Sequence, residues 1–381
     1  MLAQSMPDAS PVKWHLAHTT WFFETFVLAE LPEFRPFHPG YAALFNSYYN
    51  SVGAPHPRGQ RGLLTRPDLA EVLRYRQHVD HAVRSALAQG QLSAELSARV
   101  RVGLHHEQQH QELILTDVLH LLSQNPLRPA FRQPVDLPRA TAPEAPPTDP
   151  WHAHPGGVVQ LGHRGDDFCF DNELPRHRVL LAPFEIAARP VDNATYLQFI
   201  RDGAYRRPEL WLSDGWDAVH RRGWFAPLYW SADLETRFTL HGLRPIDPAA
   251  PVCHVSYYEA DAFARWAGAR LPSEHEWESV AEDQPITGNF VESGRLEPVA
   301  HHHHPQFFGD AWVWTASPYV AYPGFRPATG ALGEYNGKFM CNQIVLRGGS
   351  CATPGSHVRA SYRNFFPPEA RWQFSGLRLA R

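Results

Sequence analysis

Apolar side chains recur at helical spacing in three stretches of the N-terminal third of the chain. The first runs from Val12 to Leu31 and stops at Pro32, and the second follows Asp68 and closes near Gly90. The third extends from about Ser93 to Ser123. Because an apolar residue at every third or fourth position makes one helix face, we predict three helices packed as an antiparallel bundle. A bundle usually needs a fourth helix, so either that helix is irregular or part of the N-terminus is missing.

Prolines and short β-like runs replace the helical period after residue 125. Residues 126–155 are rich in proline, which predicts a semi-rigid linker. Further on, helices are predicted from Asp192 to Arg201 and from Ser256 to Gly268, between β-like runs and turns. No strand–helix alternation recurs, so we expect an α+β domain rich in loops. The predicted domains are therefore 1–125 and 156–381, joined by the linker.

Composition narrows the class of protein. Of the 381 residues, 43% are apolar and 19% are charged, as in a well-packed globular protein. The net charge of −4 provides no basic field for nucleic acid. The four cysteines lack C-x-x-C spacing and suit reduced thiols. The sequence contains no run of about eighteen apolar residues, the length needed to span a membrane as a helix. We therefore expect a cytoplasmic protein that binds neither nucleic acid nor a membrane.

The third predicted helix carries the pattern with the clearest chemistry. His106 and His110 are four residues apart, so on a helix they project from one face and can bind the same metal ion. The chain holds 23 histidines, and a polar helix face that happens to be His-rich is the competing interpretation. On the first predicted helix, His15 and His18 are both candidates for a third ligand, and spacing alone does not choose between them.

Residues 156–381 carry several motifs of one known family. The stretches are Asp171–His177, Trp266–Glu278, Trp312–Thr315 and Leu346–Ser350. They resemble the formylglycine-generating-enzyme, or sulfatase-modifying-factor, family, which implies a C-type-lectin-like fold. The active cysteine pair of the formylglycine-generating enzymes has no clear counterpart here, which argues against sulfatase modification.

The N-terminal helices carry a second resemblance. Their His…His-x-x-x-His-x-Glu pattern is similar to that of the DinB-like helical bundle. The two domains in this order resemble the ergothioneine-biosynthesis sulfoxide synthases, or hercynine oxygenases, and Trp14–Phe23, His105–Glu112 and Arg363–Phe366 make this match specific. The implied fold is an N-terminal DinB-like helical bundle followed by a C-type-lectin-like α+β domain. Members of this family usually carry a further N-terminal helix, so the resemblance also implies a bundle truncated at its N-terminus.

The resemblance implies an iron(II) enzyme. The metal would be held by His18, His106 and His110, so the resemblance selects His18 over His15. The O2-dependent reaction joins the sulfur of γ-glutamylcysteine or cysteine to C2 of the imidazole of Nα-trimethylhistidine and oxidises that sulfur to a sulfoxide. The choice of thiol stays open. An enzyme that couples cysteine to unmethylated histidine, a 5-histidylcysteine sulfoxide synthase, is the nearest alternative.

The resemblance also implies catalytic and substrate-binding residues. Tyr48 and Tyr49 match a tyrosine pair that would donate a proton or a hydrogen bond to a bound oxygen species, with two packing aromatic residues as the alternative. Arg58 and Arg61 would bind a carboxylate of the thiol, with ordinary surface charge as the alternative. Gln109 would help to place the histidine derivative.

A C-terminal loop completes the implied substrate site. Asn364 would hold the carboxylate or ammonium region of the betaine. Phe365 and Phe366 would pack on the trimethylammonium group, which an aromatic face attracts. These two aromatic residues favour a trimethylated substrate over an unmethylated one.

Two functions of other classes fit parts of the pattern. The stretch from His106 to His110 satisfies the H-E-x-x-H motif of zinc metallopeptidases, in which Glu107 would be the base. Gln108 and Gln109 are polar where a peptidase helix tends to be apolar, and no third ligand with its own motif follows. A non-catalytic lectin-like binding module would leave the histidines idle, so alanine at His106 would not affect its ligand binding.

Overall fold

A computed structural model describes residues 2–133, 150–300 and 306–381. The chain divides into two compact units. The helical unit comprises Met1–Gln124 and Arg326–Lys338, and the β-rich unit comprises Asn125–Phe325 and Phe339–Arg381. Residues 134–149, most of the predicted linker, lie outside the described residues.

The helical unit contains the helices α1 (Val12–Phe26), α2 (Tyr41–Leu44), α3 (Leu69–Ala88) and α4 (Ala94–Ser123). The connection between α1 and α3 contains the short α2 and a 3-10 turn at Arg58–Leu63. In the part of the chain that the structure describes, no helix combines the length and apolar character needed to cross a bilayer.

Side-chain caps set the starts of α3 and α4. Asp68 accepts the backbone N–H of Glu71 at 2.8 Å, and Ser93 accepts that of Leu96 at 3.2 Å. Each cap satisfies one of the backbone donors that a helix start leaves without an intrahelical partner. Both starts agree with the sequence prediction.

The prediction for the first helix was wrong at its C-terminal end. α1 ends at Phe26, and a 3-10 turn follows at Leu28–Glu30. Val27 leaves helical geometry with φ of −121°, and both Val27 and Leu28 are fully buried. Since no proline or glycine occurs before Pro32, the packing of these two apolar residues ends the helix, not a local breaker.

A glycine lets α1 and α4 approach each other closely. A Cβ at Gly103 of α4 would lie 2.6 Å from Cε1 of the Phe23 ring and 3.1 Å from Cδ1 of Phe22. Carbon atoms in contact are about 3.5–4.0 Å apart, so a side chain at this position has no room. The close approach places His18 of α1 beside the face of α4 that carries His106.

The β-rich unit contains short strands and short helices, each in consecutive groups. In chain order, its strands are β1 (Trp151–His154), β2 (Gly157–Leu161), β3 (His177–Leu181), β4 (Phe184–Ala187), β5 (Thr236–Thr239), β6 (Gly242–Pro245), β7 (Trp312–Pro318), β8 (Ile344–Arg347), β9 (Asn364–Phe366) and β10 (Ser375–Leu377). Its helices are α5 (Asn193–Arg201), α6 (Ser213–Arg222), α7 (Tyr257–Trp266) and α8 (Glu274–Ala281).

A four-stranded sheet with the order β10–β7–β8–β9 is the largest sheet of the described residues. β10 is parallel to β7, and the other neighbours are antiparallel. The remaining strands form antiparallel pairs, β1 with β4, β2 with β3 and β5 with β6. This mixture of small sheets and helices agrees with the predicted α+β class.

Two helices of this unit, α6 and α8, were not predicted. At the start of α8, the Ser273 side chain accepts the N–H of Glu276, and the Glu276 carboxylate accepts the N–H of Ser273. This reciprocal cap has the Ser-x-x-Glu signature that marks a helix start, so α8 could have been predicted from the sequence.

Buried ion pairs connect α8 to the sheet. Arg347 of β8 donates to Glu274 at 2.8 Å and to Glu278 at 2.9 Å, and Arg363 donates to Glu274 at 2.9 Å. The side chains of all four residues are at most 2% exposed. Because an unpaired charge in such surroundings is strongly destabilising, each of these charges depends on its partner.

Candidate metal site

Three histidines of the helical unit meet in its interior. His18 of α1 and His106 and His110 of α4 each offer one ring nitrogen, and these nitrogens all lie within 4.8 Å of one another. The three residues are 0%, 3% and 8% exposed. Such a cluster of buried imidazoles has the size and donor set of a metal site.

The hydrogen bonds of His18 determine which of its nitrogens faces the cluster. Its Nδ1–H donates to the backbone carbonyl of Phe45 at 2.6 Å, so the lone pair is on Nε2. Nε2 of His18 and Nδ1 of His106 are buried and have no hydrogen-bond partner among the described residues. A buried polar atom without a partner costs about 1–3 kcal/mol. A metal ion among the three histidines would be bound by one ring nitrogen from each of them, so the residues present fit such an ion.

Burial keeps the three imidazoles neutral. It lowers the pKa of His106 to about 3, and the nearby His15 lowers it further. Burial and then the neighbouring His106 hold the pKa values of His18 and His110 well below the ordinary range. Since a metal ligand must be a neutral imidazole, these rings need no deprotonation near pH 7 to bind a cation.

His15, the other candidate on α1, is a neighbour of the cluster and not a member of it. Its Nε2 lies 3.0 Å from Oδ2 of Asp117, and its Nδ1 lies 2.7 Å from Nδ1 of His110. The same Asp117 oxygen accepts the backbone N–H of Ser10 at 2.7 Å. Sequence analysis missed Asp117, although it follows His110 by seven residues and so lies on the same side of α4.

The predicted arginines have different surroundings. Arg61 is 3% exposed and stacks on Trp14, with its guanidinium carbon 3.4 Å from the ring centroid, and Trp14 stacks in turn on His18 at 4.6 Å. Burial lowers the pKa of Arg61 to about 9. Its guanidinium donates to the hydroxyls of Ser10 and Ser47, and no carboxylate of the described residues lies within 4.0 Å of it.

Arg58 lies at the surface. Its guanidinium donates to the backbone carbonyl of Asp8. The structure therefore places Arg61 one aromatic ring, Trp14, away from His18 and leaves Arg58 outside that stack.

The tyrosine pair lies one aromatic ring away from the cluster. Tyr49 is fully buried and packs on Trp21 at 5.5 Å, and Trp21 stacks on His18 at 5.4 Å. The hydroxyl of Tyr49 is 3.4 Å from that of the half-buried Tyr48. Burial, with the neighbouring Tyr48, raises the pKa of Tyr49 well above its usual range, so the hydroxyl keeps its proton.

A chain segment remote in sequence, Arg326–Lys338, belongs to the helical unit. The Tyr335 hydroxyl donates to the Gln109 side-chain oxygen at 2.5 Å, and the Tyr335 ring lies 5.7 Å from that of His106. Glu334 accepts the backbone N–H of Ser51 at 2.9 Å, which ties the segment to the loop that follows the tyrosine pair. Sequence analysis missed Tyr335, because 226 positions separate it from Gln109 and no local pattern links them.

The C-terminal residues predicted to bind substrate lie in the β-rich unit. Asn364, Phe365 and Phe366 form β9, and each is partly buried. The Asn364 side-chain oxygen accepts the N–H of Phe365 at 2.9 Å. The Phe365 ring stacks on Tyr319 at 4.0 Å, and Phe366 packs edge-on against Trp372 at 6.2 Å.

Glu107, the base required by a metallopeptidase, is engaged elsewhere. Its carboxylate pairs with the guanidinium of Arg76 from α3, and both side chains are about a quarter exposed. The geometry therefore disfavours a proteolytic role for the H-E-x-x-H stretch.

Two known protein families match successive parts of the chain, the first in the helical unit and the second mainly in the β-rich unit. Residues 1–114 match the DinB superfamily. Residues 141–307 and 304–381 match the sulfatase-modifying factor enzyme 1-like domain.

Comparison with individual proteins finds relatives over nearly the whole chain. The chain is 34% identical to a hercynine oxygenase of Mycolicibacterium thermoresistibile, over 98% of this chain and 88% of that protein. It is 32% identical to a hercynine oxygenase of Mycobacterium tuberculosis, over 100% and 93% of the two chains. It is also 29% identical to ergothioneine biosynthesis protein 1 of Schizosaccharomyces pombe, over 56% of this chain and 28% of that protein.

Proposed function

Since this chain belongs to the hercynine oxygenase family, we propose that it is an iron(II)- and O2-dependent sulfoxide synthase of ergothioneine biosynthesis. A cysteine thiol, R–SH, and the C2–H of the imidazole of Nα-trimethylhistidine lose their hydrogens, and a C–S bond forms. One oxygen atom of O2 becomes the sulfoxide oxygen and the other leaves as water, so atoms and electrons balance. The observation that carries this proposal is the buried cluster of His18, His106 and His110 with two unpartnered ring nitrogens.

The donor set suits iron(II) more than a closed structural zinc site. Three neutral imidazoles leave a metal ion its full charge and about three further coordination positions. Bound iron(II) would supply the one-electron chemistry that O2 needs to react with a thiol and an imidazole. No cysteine or carboxylate joins the histidine group among the residues described, so the site has no fourth protein ligand of that kind.

Arg61 is the residue of this chain best suited to hold a substrate carboxylate. Its guanidinium is buried and donates to the hydroxyls of Ser10 and Ser47, so a substrate carboxylate could provide a direct counter-charge through a planar, bidentate contact. The carboxylate group is common to cysteine and γ-glutamylcysteine, and the choice between these thiols is left to the experiment. Arg58 has the family resemblance in its favour but lacks this burial.

The tyrosine pair and Gln109 are proposed to act on the reacting groups. Tyr49 keeps its proton because its pKa is raised, so it acts as a donor and not as a base. The Tyr335 hydroxyl holds the side-chain oxygen of Gln109, which fixes the orientation of that amide. An amide held in one orientation can hold the imidazole ring of a substrate in a single orientation.

In the β-rich unit, Asn364, Phe365 and Phe366 are proposed to recognise the betaine. The Asn364 side-chain oxygen is used by a backbone N–H, so its NH2 group is the one that can donate to a carboxylate. Aromatic faces attract a trimethylammonium group, which cannot donate hydrogen bonds.

Anaerobic reconstitution with iron(II) tests this function directly. Oxygen uptake and product mass would be measured with Nα-trimethylhistidine or histidine, each paired with cysteine or γ-glutamylcysteine. A thioether sulfoxide from Nα-trimethylhistidine supports the proposal and identifies the thiol, and the His106→Ala variant should form none. Sulfoxide formed with histidine but not with Nα-trimethylhistidine would favour the 5-histidylcysteine sulfoxide synthase. Zinc-dependent proteolysis without O2 uptake would refute the oxygenase assignment.

A further inference from the structure

A chain of buried hydrogen bonds leads from a carboxylate to one of the clustered histidines. Asp117, His15 and His110 are 6%, 2% and 8% exposed. Asp117 Oδ2 lies 3.0 Å from His15 Nε2, and His15 Nδ1 lies 2.7 Å from His110 Nδ1. Both nitrogens of His15 therefore lie within hydrogen-bond distance of a partner, and His110 contacts His15 through its Nδ1.

The position of each hydrogen in this series of hydrogen bonds follows from the Asp117 end. Asp117 Oδ2 already accepts the backbone N–H of Ser10 at 2.7 Å, so this oxygen is an acceptor and the hydrogen toward His15 is on Nε2. A neutral His15 with a hydrogen on Nε2 has its lone pair on Nδ1. His110 must then donate from Nδ1–H, which leaves the lone pair of His110 on Nε2.

We propose that Asp117 and His15 are positioning residues, which hold His110 in the tautomer that presents Nε2 to a metal ion. The inference rests on the proposed metal site and extends it to residues outside the three ligands. His18 is fixed in the same way by a single carbonyl, because its Nδ1–H donates to Phe45. Each of these two ligands thus has a partner for its Nδ1–H. The partner of His18 is a backbone carbonyl, whereas the partner of His110 is His15, which is itself hydrogen-bonded to the carboxylate of Asp117.

The carboxylate gives this chain a second effect. A negative charge at Asp117 polarises the hydrogen bonds between it and His110, and hydrogen bonds in series reinforce each other in a low-dielectric interior. A more electron-rich imidazole binds a cation more tightly. Substitution of partners that orient metal ligands typically costs about 10–100-fold in metal affinity.

The first test reads the tautomers without a paramagnetic metal. In metal-free protein labelled with 15N in histidine, long-range 15N–1H correlations distinguish Nδ1–H from Nε2–H. The wild type should show Nδ1–H for His110 and Nε2–H for His15. In the His15→Phe variant, His110 should lose its fixed Nδ1–H pattern. A wild type in which His110 carries its hydrogen on Nε2 would refute the inference, as would an unchanged His110 pattern in the variant.

The second test measures affinity for Co(II), whose visible absorption reports the ligand field, and for Zn(II). His15→Gln keeps an oxygen that can accept the Nδ1–H of His110, whereas His15→Phe keeps none, so affinity should fall more for phenylalanine. Asp117→Asn can keep both hydrogen bonds without the charge and should weaken binding by less than His15→Phe. Gln111→Ala, at an exposed position on the same helix, is the control and should bind as the wild type does.

The outcomes separate this inference from the proposed function. If the wild type binds neither ion, the metal site itself fails. If the wild type binds and both His15 variants match it in affinity and absorption, the metal site stands and the positioning role is refuted. Circular dichroism and urea unfolding of the metal-free variants check the fold, and Asp117→Asn carries the test if a His15 variant does not fold.

Discussion

Gly103→Ala tests whether the close approach of α1 and α4 sets the geometry of the histidine cluster. The added Cβ would lie 2.6 Å from Cε1 and 2.7 Å from Cζ of the Phe23 ring. Ordinary carbon contacts need about 3.5–4.0 Å, so the ring or the two helices must move apart by about 1 Å. The Phe23 ring packs edge-on against Phe22 at 6.1 Å, and Phe22 in turn lies 4.7 Å from the ring of His106. A shift of the rings would therefore reach the cluster.

Two opposing terms decide the effect of Gly103→Ala on stability. Replacing glycine by alanine inside a helix favours folding by about 1 kcal/mol. Overpacking of a well-filled interior costs about 1–3 kcal/mol. The net free energy of unfolding should fall by about 0–2 kcal/mol, so the variant stays folded. A displacement of about 1 Å between reacting groups can nevertheless cost about 100-fold in rate, so metal affinity and turnover should fall far more than stability does.

The assay compares urea unfolding, Co(II) affinity and O2 uptake for Gly103→Ala and for Gln111→Ala, an exposed position on the same helix. The double variant Gly103→Ala with Phe23→Leu removes the ring that the Cβ would strike, so it should regain part of the lost Co(II) affinity. Wild-type affinity and turnover in Gly103→Ala would refute the reasoning. Equal losses in the single and double variants would show that Phe23 is not the cause.

The remaining predictions concern charges and hydroxyls of the helical unit. Arg61→Met, which keeps the packing volume, should raise KM for the thiol by about 10–100-fold, the worth of a charged hydrogen bond; steady-state kinetics check this, and Arg58→Met should change KM less. Tyr49→Phe should lower turnover by about 100-fold or more if that hydroxyl supplies a proton, and because the pKa of Tyr49 is raised well above 10, the wild type should show no loss of rate from its ionisation between about pH 7 and pH 10. For Glu334, burial raises the pKa of the carboxyl group, but hydrogen bonds, first of all that from Lys338, outweigh this effect and lower the pKa to about 2. The stabilisation that Glu334 provides is therefore present above the carboxyl pKa of the unfolded chain, about 4.3, and lost as pH falls toward 2; Glu334→Gln should flatten this acid limb in unfolding experiments.

Local patterns predicted the elements of the helical unit whose causes are local. The starts of α3 and α4 follow from Asp68 and Ser93, which cap their own helices. The pairing of His106 with His110 follows from the helical repeat. The end of α1 could not be predicted in this way, because it depends on the burial of Val27 against other elements.

The rest of the site depends on contacts between distant parts of the chain. His15 and His18 lie on one helix, and periodicity treats both as candidates. The structure separates them by their partners, a backbone carbonyl for His18 and Asp117 for His15. Tyr335 contacts Gln109 across a sequence separation of 226 positions, and no local sequence pattern predicts this contact. Resemblance to a family can supply such residues only where it covers them with a motif.

The assignment of Arg326–Lys338 to the helical unit has a consequence for biosynthesis. During synthesis from the N-terminus, Met1–Gln124 leaves the ribosome long before this segment does, so the helices can associate but cannot reach their final state. Until then the hydroxyl partner of Gln109 and the carboxylate that binds the backbone of Ser51 are missing. The contacts that complete the unit are thus among its longest in sequence, and long-range contacts form slowly. A fragment that stops near residue 124 should therefore fold incompletely, and co-expression with the remainder of the chain should rescue it only if the two pieces meet before the fragment aggregates.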